Sequence, residues 1–314
     1  MRCWLVVLGL VTAALAQPQD SLAFIRGGRV MFQAAGSNRA EPVVADDPGW
    51  SYVLPTWTDS EHLLVIRNRA GEWGRSNVGL VEVGSRPVAP SKVQWLPKLA
   101  GAYTIGYNYN DAKIHYLKIA KQSDEHFQVF FGTAELDGSD AQSRPLEQTL
   151  YGAGEPISKR IRCAQRGYCL VPSFPTDVSH SIALYEPEAG IYMLPFYLDH
   201  TWLVAHTMPT DFAAGDFGGR RYVALGSMSS GLYLADQLKR ILRPLDTWKS
   251  DETERAVVSV SFSSDEETIY YEVRPLWWGQ DSKPEIRCVS IRGGDAKVVL
   301  QNATMPDAMP ATGL

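Results

Sequence analysis

The sequence predicts an all-β protein built from repeated sheet units, a β-propeller with four-stranded antiparallel blades. Short runs of alternating apolar and polar residues follow one another along the chain, and long helical periodicity is almost absent. Two stretches, beginning at Trp57 and at Phe262, repeat one pattern without a gap: an aromatic residue, a polar turn that carries an acid, and a short β-rich run. Repetition of small sheet units is typical of propellers.

The individual strands are predicted from these alternating runs. Leu22–Ile25 and Val30–Gln33 flank a turn with two adjacent glycines, which is a hairpin connection. Residues 134–160 show little strand pattern and are interpreted either as a weakly marked blade or as a long functional loop. The main further strands are expected at Val78–Val83, Val93–Leu96, Ala102–Tyr109, Lys113–Ile119, Phe127–Phe131, Tyr168–Phe174, Ser181–Tyr185, Ile191–Leu198, Arg221–Leu225, Leu232–Ala235, Val257–Phe262, Thr268–Val273, Ile286–Ile291 and Lys297–Leu300.

Aromatic spacing predicts the number of blades. Residues that could share the inner-strand position of Trp57 are Trp95, Phe174, Phe212 and Phe262, at intervals of 38, 79, 38 and 50 residues. Propeller blades are about 40 residues long, so the interval of 79 corresponds to two blades. We expect six blades, with seven as the alternative.

Three segments are predicted along the chain. Residues 1–16 are typical of a secretory signal peptide, with Arg2, an apolar core and the small residues Ala14 and Ala16 before the cleavage site. An uncleaved membrane anchor is the alternative, but the apolar stretch is shorter than the roughly 20 residues that a spanning helix needs. Residues 17–301 form the propeller, and residues 302–314 are either a flexible tail or a strand that closes the ring. We therefore expect a periplasmic or secreted protein.

Composition excludes some partner classes. The formal net charge of −5 offers no basic surface for nucleic acid, and no segment after the leader is long and apolar enough to span a bilayer. No cofactor motif is present, so no cofactor is predicted. The mature chain is expected to be a monomer.

The cysteines are interpreted in the light of export. Cys163 and Cys169 flank a predicted turn between two short strands, and an oxidising compartment favours a disulfide between them. Two buried free thiols are the alternative. Cys288 lies in an apolar run and is expected to be a buried, inert thiol.

The repeats resemble those of the TolB-like propeller family, whose pattern runs aromatic-Ser-Pro-Asp-Gly before an apolar strand. Phe262, Ser263 and Asp265 match this pattern, and Trp57 with Thr58 matches it more loosely. The departures are Asp59 and Ser264 at the family's proline and Glu61 and Glu266 at its glycine. The resemblance implies that the aromatic ring fills the space between blades and that the turn acid accepts backbone N–H bonds. It also implies a protein-binding propeller of the cell envelope, although related propellers include peptidase gating domains and carbohydrate-active lyases.

No complete catalytic motif is present. The stretch nearest to a serine nucleophile elbow has Met228 at the nucleophile position. His200 and His206 lie on either side of a predicted strand with equal parity, so both could face one side and bind a metal or a sugar. Surface or inter-blade histidines are the alternative interpretation. No catalytic residue and no metal site are assigned.

Three tryptophans outside the alternating strands are the candidate binding residues. Trp73, Trp277 and Trp278 lie in loops with nearby glycine or proline, and exposed tryptophans are enriched at binding hot spots. Packing over blade edges is the alternative. The sequence therefore predicts an exported, non-catalytic module that binds a protein or peptide through loops on one face. The alternative is a carbohydrate-active lyase or hydrolase that uses the central channel.

Overall fold

The computed structural model describes residues 16–69, 76–121, 126–151, 161–164, 169–173, 183–186, 191–193, 209–217, 220–227, 230–236, 241–248, 255–275 and 283–311. Within these ranges the regular structure consists of strands and three short 3-10 helices, at Val83–Ser85, Pro90–Lys92 and Pro97–Leu99. No helix among the described residues is long and apolar enough to cross a membrane. The all-β prediction is confirmed.

In chain order, the described residues form three strands and then five four-stranded antiparallel blades, each from four consecutive strands. The first three strands are β1 (Leu22–Arg26), β2 (Arg29–Gln33) and β3 (Ala40–Pro42). The first two blades contain β4 (Trp50–Trp57), β5 (His62–Arg69), β6 (Ser76–Glu82) and β7 (Gln94–Trp95), then β8 (Ala102–Asn108), β9 (Lys113–Lys121), β10 (His126–Ala134) and β11 (Gln142–Tyr151). The next three contain β12 (Arg162–Cys163), β13 (Cys169–Ser173), β14 (Ala183–Glu186) and β15 (Ile191–Met193), then β16 (Pro209–Phe217), β17 (Arg220–Ser227), β18 (Gly231–Asp236) and β19 (Ile241–Thr247), and finally β20 (Arg255–Phe262), β21 (Thr268–Pro275), β22 (Glu285–Ser290) and β23 (Lys297–Gln301).

The last strand, β24 (Thr304–Ala308), belongs to the sheet of the first three strands. It runs antiparallel to β1, which gives the order β24-β1-β2-β3. Of the two alternatives for residues 302–314, the structure therefore has a strand at Thr304–Ala308. The prediction of six or seven blades is met only in part, because five blades come from consecutive strands and the N-terminal strands make a four-stranded sheet only with β24. The described residues supply no seventh sheet.

The innermost strands form a ring. Each of β4, β8, β12, β16 and β20 contacts its neighbours, and β24 lies between β20 and β4. We call the side on which the innermost strands begin the upper face, and the side on which they end the lower face. Because adjacent strands are antiparallel, the connection from the second to the third strand of a blade lies at the upper face.

Packing on both sides of each blade explains why several strands are continuous apolar runs. In β5, the residues Leu63 to Ile66 are all fully buried. Leu63 and Val65 pack with the core of the β24–β3 sheet, whereas Leu64 and Ile66 pack with the core of the β8–β11 blade. Side chains alternate across a strand, so a blade buried on both sides needs apolar residues at consecutive positions.

The two echoing stretches occupy equivalent places, as predicted. Each spans the end of an innermost strand, the hairpin turn, and the second strand of its blade. Trp57 is fully buried and meets Phe32 of the preceding sheet edge-on, with ring centroids 6.0 Å apart. Phe262 packs against Gly215 of the preceding blade, where an added Cβ would lie 2.9 Å from the ring. The rings therefore fill the space between neighbouring blades.

The acids of these two turns accept backbone hydrogen bonds, also as predicted. Asp59 Oδ1 accepts the N–H groups of Glu61 at 2.7 Å and His62 at 2.8 Å. Asp265 Oδ1 accepts the N–H of Glu267 at 2.9 Å. Both carboxylates close the hairpin by satisfying N–H groups that the strand ladder leaves unpaired.

Two predictions about position need correction. Trp95 does not share the inner-strand position of Trp57, because it lies in β7, the outermost strand of its blade, and the next innermost strand begins at Ala102. The described part of residues 134–160 does not form a separate blade. It contains a turn at residues 135–141 and the outer strand β11, while residues 152–160 lie outside the described residues.

Candidate functional site

The upper face beside β4 carries a cavity of about 290 Å³. Its walls come from the β1–β2 turn, the segment between β3 and β4, and the first residues of β4. The lining residues are Gly27, Gly28, Arg29, Val44, Ala45, Asp46, Asp47, Pro48, Gly49, Trp50 and Tyr52.

Backbone hydrogen bonds fix the shape of this cavity. Gly27 and Gly28 have φ of +58° and +75°, a conformation that residues with a Cβ rarely adopt, and they form the tight β1–β2 turn. The carbonyl of Gly28 accepts the N–H of Tyr52 at 2.8 Å, which ties this turn to β4. On the other side, the N–H of Ala45 donates to the carbonyl of Val88 at 2.9 Å. The walls are therefore held in place without a ligand.

A stack of three side chains supports one wall. The guanidinium carbon of Arg67 lies 4.2 Å from the ring centroid of Trp50 and 3.7 Å from that of Trp95, so Arg67 is sandwiched between two indoles. Its Nη1 donates to Asp47 Oδ2 at 2.8 Å, and the hydroxyl of Tyr52 donates to the same oxygen at 2.9 Å. Burial, together with the hydrogen bond to Asp47, raises the pKa of Tyr52, which keeps the phenol protonated as a donor.

The rim of the cavity carries a second, more exposed ion pair. Arg29 Nη1 and Nη2 lie 2.9 and 3.0 Å from the two oxygens of Asp46, a bidentate arrangement. The side chains are 55% and 65% exposed, so both remain open to other molecules.

At the lower ends of β4 and β24, buried side chains are hydrogen-bonded to one another. Asp307, on β24, accepts the N–H of Trp57 at 3.0 Å and the hydroxyl of Ser261 at 3.2 Å. The indole N–H of Trp57 donates to the carbonyl of Asp307 at 3.1 Å, and the hydroxyl of Tyr109 donates to the carbonyl of Trp57 at 2.9 Å. The cavity beside these residues has only about 50 Å³. This volume has room for water and not for an organic ligand.

The turn acid Asp59 lies on the lower face beside His62. Its carboxylate oxygens are both 3.0 Å from His62 Nδ1. Burial by itself would raise the pKa of Asp59, but the hydrogen bonds from the backbone N–H groups of Glu61 and His62 and from the His62 ring hold it below the usual value. The Asp59 carboxylate is therefore charged, and hydrogen bonds within the turn use its oxygens.

Most of the residues singled out from sequence lie outside the described residues. These are Trp73, Trp277 and Trp278 among the binding candidates, and His200 and His206 among the metal candidates. The described strands nevertheless place the ends of the loop segments. Arg69, before residues 70–75, pairs with Trp50, and Pro275, before residues 276–282, pairs with Arg255. Both partners begin innermost strands, so the chain leaves the sheets at the upper face in both cases.

The described cysteines are in different states. Cys163 is disulfide-bonded, and Cys169 lies directly opposite it in the β12–β13 ladder. The Cys163–Cys169 pairing stays a prediction, because the side chain of Cys169 is outside the described part. Cys288 is a free, half-buried thiol, and burial raises its pKa. Among the described residues, no group of three or more His, Cys, Asp or Glu side chains could hold a metal ion.

Sequence reasoning did not find the cavity. Its charged residues, at positions 29, 46 and 47, and Arg67, which holds Asp47, are separated along the chain, and none belongs to a motif. Only the pairing of β4 with β5 and the contact of the β1–β2 turn with β4 bring them together.

Comparison with solved structures agrees with the fold. A puromycin-hydrolyzing peptidase from Mycobacterium tuberculosis is similar over 93% of this chain, with 12% identity and a TM-score of 0.50. The β-propeller domain of the Trilobed protease from Pyrococcus furiosus is similar over 79% of this chain and 71% of its own length, with 8% identity and a TM-score of 0.42. An oligogalacturonate lyase in complex with manganese is similar over 92% of this chain and 75% of its own length, with 10% identity and a TM-score of 0.43.

The chain spans 48% of the length of the puromycin-hydrolyzing peptidase. No family model matches the chain, and no curated protein matches it. At these identities the likeness concerns the fold, and the chain is a β-propeller.

Proposed function

We propose that this chain is an exported, non-catalytic β-propeller of the TolB-like kind that binds a protein or peptide through its upper face. In this proposal the β24–β3 sheet acts as the sixth blade and completes the ring. The observation that carries the proposal is the open, preformed cavity at the upper face, which contrasts with the buried contacts between Trp57 and Asp307 at the lower ends of β4 and β24.

The segments that connect the strands also favour the upper face as the binding side. The segments that contain Trp73, Trp277 and Trp278 all leave their sheets there, judged from the strands that flank them. Tryptophan is enriched at the centre of protein interfaces because a rigid ring buries a large area at low entropic cost. Three tryptophans in segments that follow the upper ends of β5 and β21, together with the half-buried Trp50, give these parts of the sequence the composition of a binding surface.

Export is supported by the predicted leader and by the state of Cys163. A disulfide at Cys163 is stable in oxidising compartments and rare in the cytosol. We therefore propose a periplasmic or secreted location.

Site-specific photo-crosslinking tests which face binds. A photoreactive residue is placed at position 277, in the segment that joins the upper ends of β21 and β22, or at position 267 on the lower face, in the full chain expressed in its own cells. We expect a discrete cross-linked protein, identified by mass spectrometry, from position 277 and none from position 267. The double variant Trp277→Ala with Trp278→Ala should lose capture of this protein, because it removes two interface rings.

A matched lower-face variant serves as the control. Glu267 and Arg292 form an exposed pair 3.3 Å apart, and their replacement by glutamine should leave the capture unchanged. Equal loss in both variants, or cross-links from position 267 alone, would contradict binding at the upper face. If neither position gives a specific product, the binding module itself is wrong.

A further inference from the structure

The charges that line the upper cavity are already paired within the protein. Three charged side chains line it among the described residues: Arg29 and Asp46 form a bidentate pair, and Asp47 is held by Arg67 and Tyr52. An incoming ion would meet a charge of its own sign beside each opposite charge, so these pairs offer it little net attraction. The cavity therefore suits a neutral ligand.

The exposed pair at the rim retains unused hydrogen-bonding capacity. A carboxylate offers about four acceptor positions and a guanidinium five donors, and the Arg29–Asp46 pair uses only part of each. A planar donor group beside a planar acceptor group matches two adjacent hydroxyl groups, each of which donates one hydrogen bond and accepts another. Because both side chains are more than half exposed, they can bind such a ligand with little desolvation.

Trp50 supplies an apolar surface next to these polar groups. Arg67 covers one side of the indole, and Trp50 is among the residues that line the cavity, whereas Arg67 is not. The stack of Trp95, Arg67 and Trp50 restricts movement of this ring. An aromatic surface that is already ordered binds at low entropic cost.

The size and rigidity of the cavity limit the ligand further. At about 290 Å³ it lies at the lower end of ligand pockets, which are typically 300 to 1,000 Å³. The N–H of Trp50 donates to the carbonyl of Asp47 at 3.1 Å, which fixes the turn that forms one wall. A single small ring fits these dimensions better than an extended chain.

We propose that the upper cavity binds one neutral sugar residue. Trp50 packs against the C–H face of the sugar ring, and Arg29 with Asp46 binds two adjacent hydroxyl groups. This site is additional to the protein partner proposed above and does not depend on it.

The test uses methyl glycosides of glucose, galactose and N-acetylglucosamine with the purified full chain. Saturation-transfer NMR detects binding, and calorimetry gives Kd. We expect transfer from at least one glycoside, binding about tenfold weaker in Trp50→Ala, and several-fold weaker in Asp46→Asn. Arg292→Gln, which removes an exposed arginine at the lower face, should leave Kd unchanged.

Several outcomes would overturn the proposal. One is the absence of saturation transfer from all three glycosides, and another is transfer that persists unchanged in both Trp50→Ala and Asp46→Asn. Galacturonate and Nα-acetylarginine methylamide serve as an acidic and a basic probe, and Trp50-dependent binding of these charged probes alone would also contradict a neutral sugar. Should Trp50→Ala fail to fold, Asp46→Asn decides the question, because this side chain is 65% exposed and its replacement leaves the fold intact. Failure here leaves the cross-linking result for the protein partner unaffected, so the two proposals fail separately.

Discussion

Strand β4 begins and ends with tryptophan, and its two ends are built in opposite ways. Trp50, at the upper end, is half-buried, stacks on Arg67 and lines an open cavity. Trp57, at the lower end, is fully buried, and both its backbone and its indole N–H groups are bonded to Asp307. The same residue type thus borders an open cavity at one end and is buried in hydrogen-bonded contacts at the other. The difference comes from the neighbours: β24 supplies backbone and carboxylate partners at the lower end, whereas loops and solvent surround the upper end.

The largest expected effect is at the lower end. Asp307→Ala removes the acceptor for the buried N–H of Trp57 and for the hydroxyl of Ser261, and unsatisfied buried donors cost about 1–3 kcal/mol each. We expect a loss of about 3 kcal/mol in the free energy of unfolding, measured by urea denaturation. The exposed acid Asp295 provides the control, and Asp295→Ala should change stability by less than about 0.5 kcal/mol. Equal effects of the two changes would contradict a closing role for Asp307.

A smaller loss is expected at the upper end. Arg67→Ala removes the cation between two indoles and leaves Asp47 with Tyr52 as its remaining side-chain partner. We expect a loss of about 2 kcal/mol in the free energy of unfolding, because the Arg67–Asp47 pair is mostly buried but keeps some contact with solvent. Arg69→Ala, at an exposed position on the same strand, is the matched control. A loss as large as that of Asp307→Ala would remove the contrast between the two ends.

The pH dependence of the lower-face turn sharpens the comparison. The pKa of Asp59 is lowered in the folded state, so its stabilising contribution is present above the unfolded pKa near 4 and is lost as pH falls through the lower folded value. The stability difference between the wild type and Asp59→Asn, obtained from urea unfolding, should therefore narrow as pH is lowered from about 6 to about 2. A difference that stays constant over this range would show that the Asp59 charge does not contribute.

The smallest effect is expected at the cavity rim. Asp46→Asn breaks an ion pair whose partners are more than half exposed, and such pairs contribute about 0–1 kcal/mol. Thermal unfolding should shift by no more than about 2 °C. Because stability is nearly unchanged, any loss of sugar binding in this variant reports on recognition. A shift comparable to that of Arg67→Ala would mean that the rim is structural.

Much of the fold could be predicted from particular residues. The equivalence of Trp57 and Phe262 was visible because every blade needs a ring at the space beside its neighbour and an acid in the turn that follows. The wrong assignment of Trp95 to an innermost strand shows what aromatic spacing cannot decide. An aromatic residue of the outermost strand looks the same in sequence as one of the innermost strand. The candidate site was missed because it draws on residues from β2, β5, β7 and the segment before β4, none of which carries a local signal.

The sequence by itself determined that the chain forms strands and where its repeated hairpins turn, and it offered residues 302–314 as a strand that closes the ring or a flexible tail. These properties follow from alternation, turn chemistry and aromatic residues, which act over a few neighbouring positions. The tertiary structure decided between that strand and a flexible tail by pairing β24 with β1, and it alone decided that Asp307 meets Trp57 and that Arg67 lies between Trp50 and Trp95 beside a cavity. Those contacts depend on how blades pack around the ring, and residues far apart in sequence become neighbours only when the ring closes.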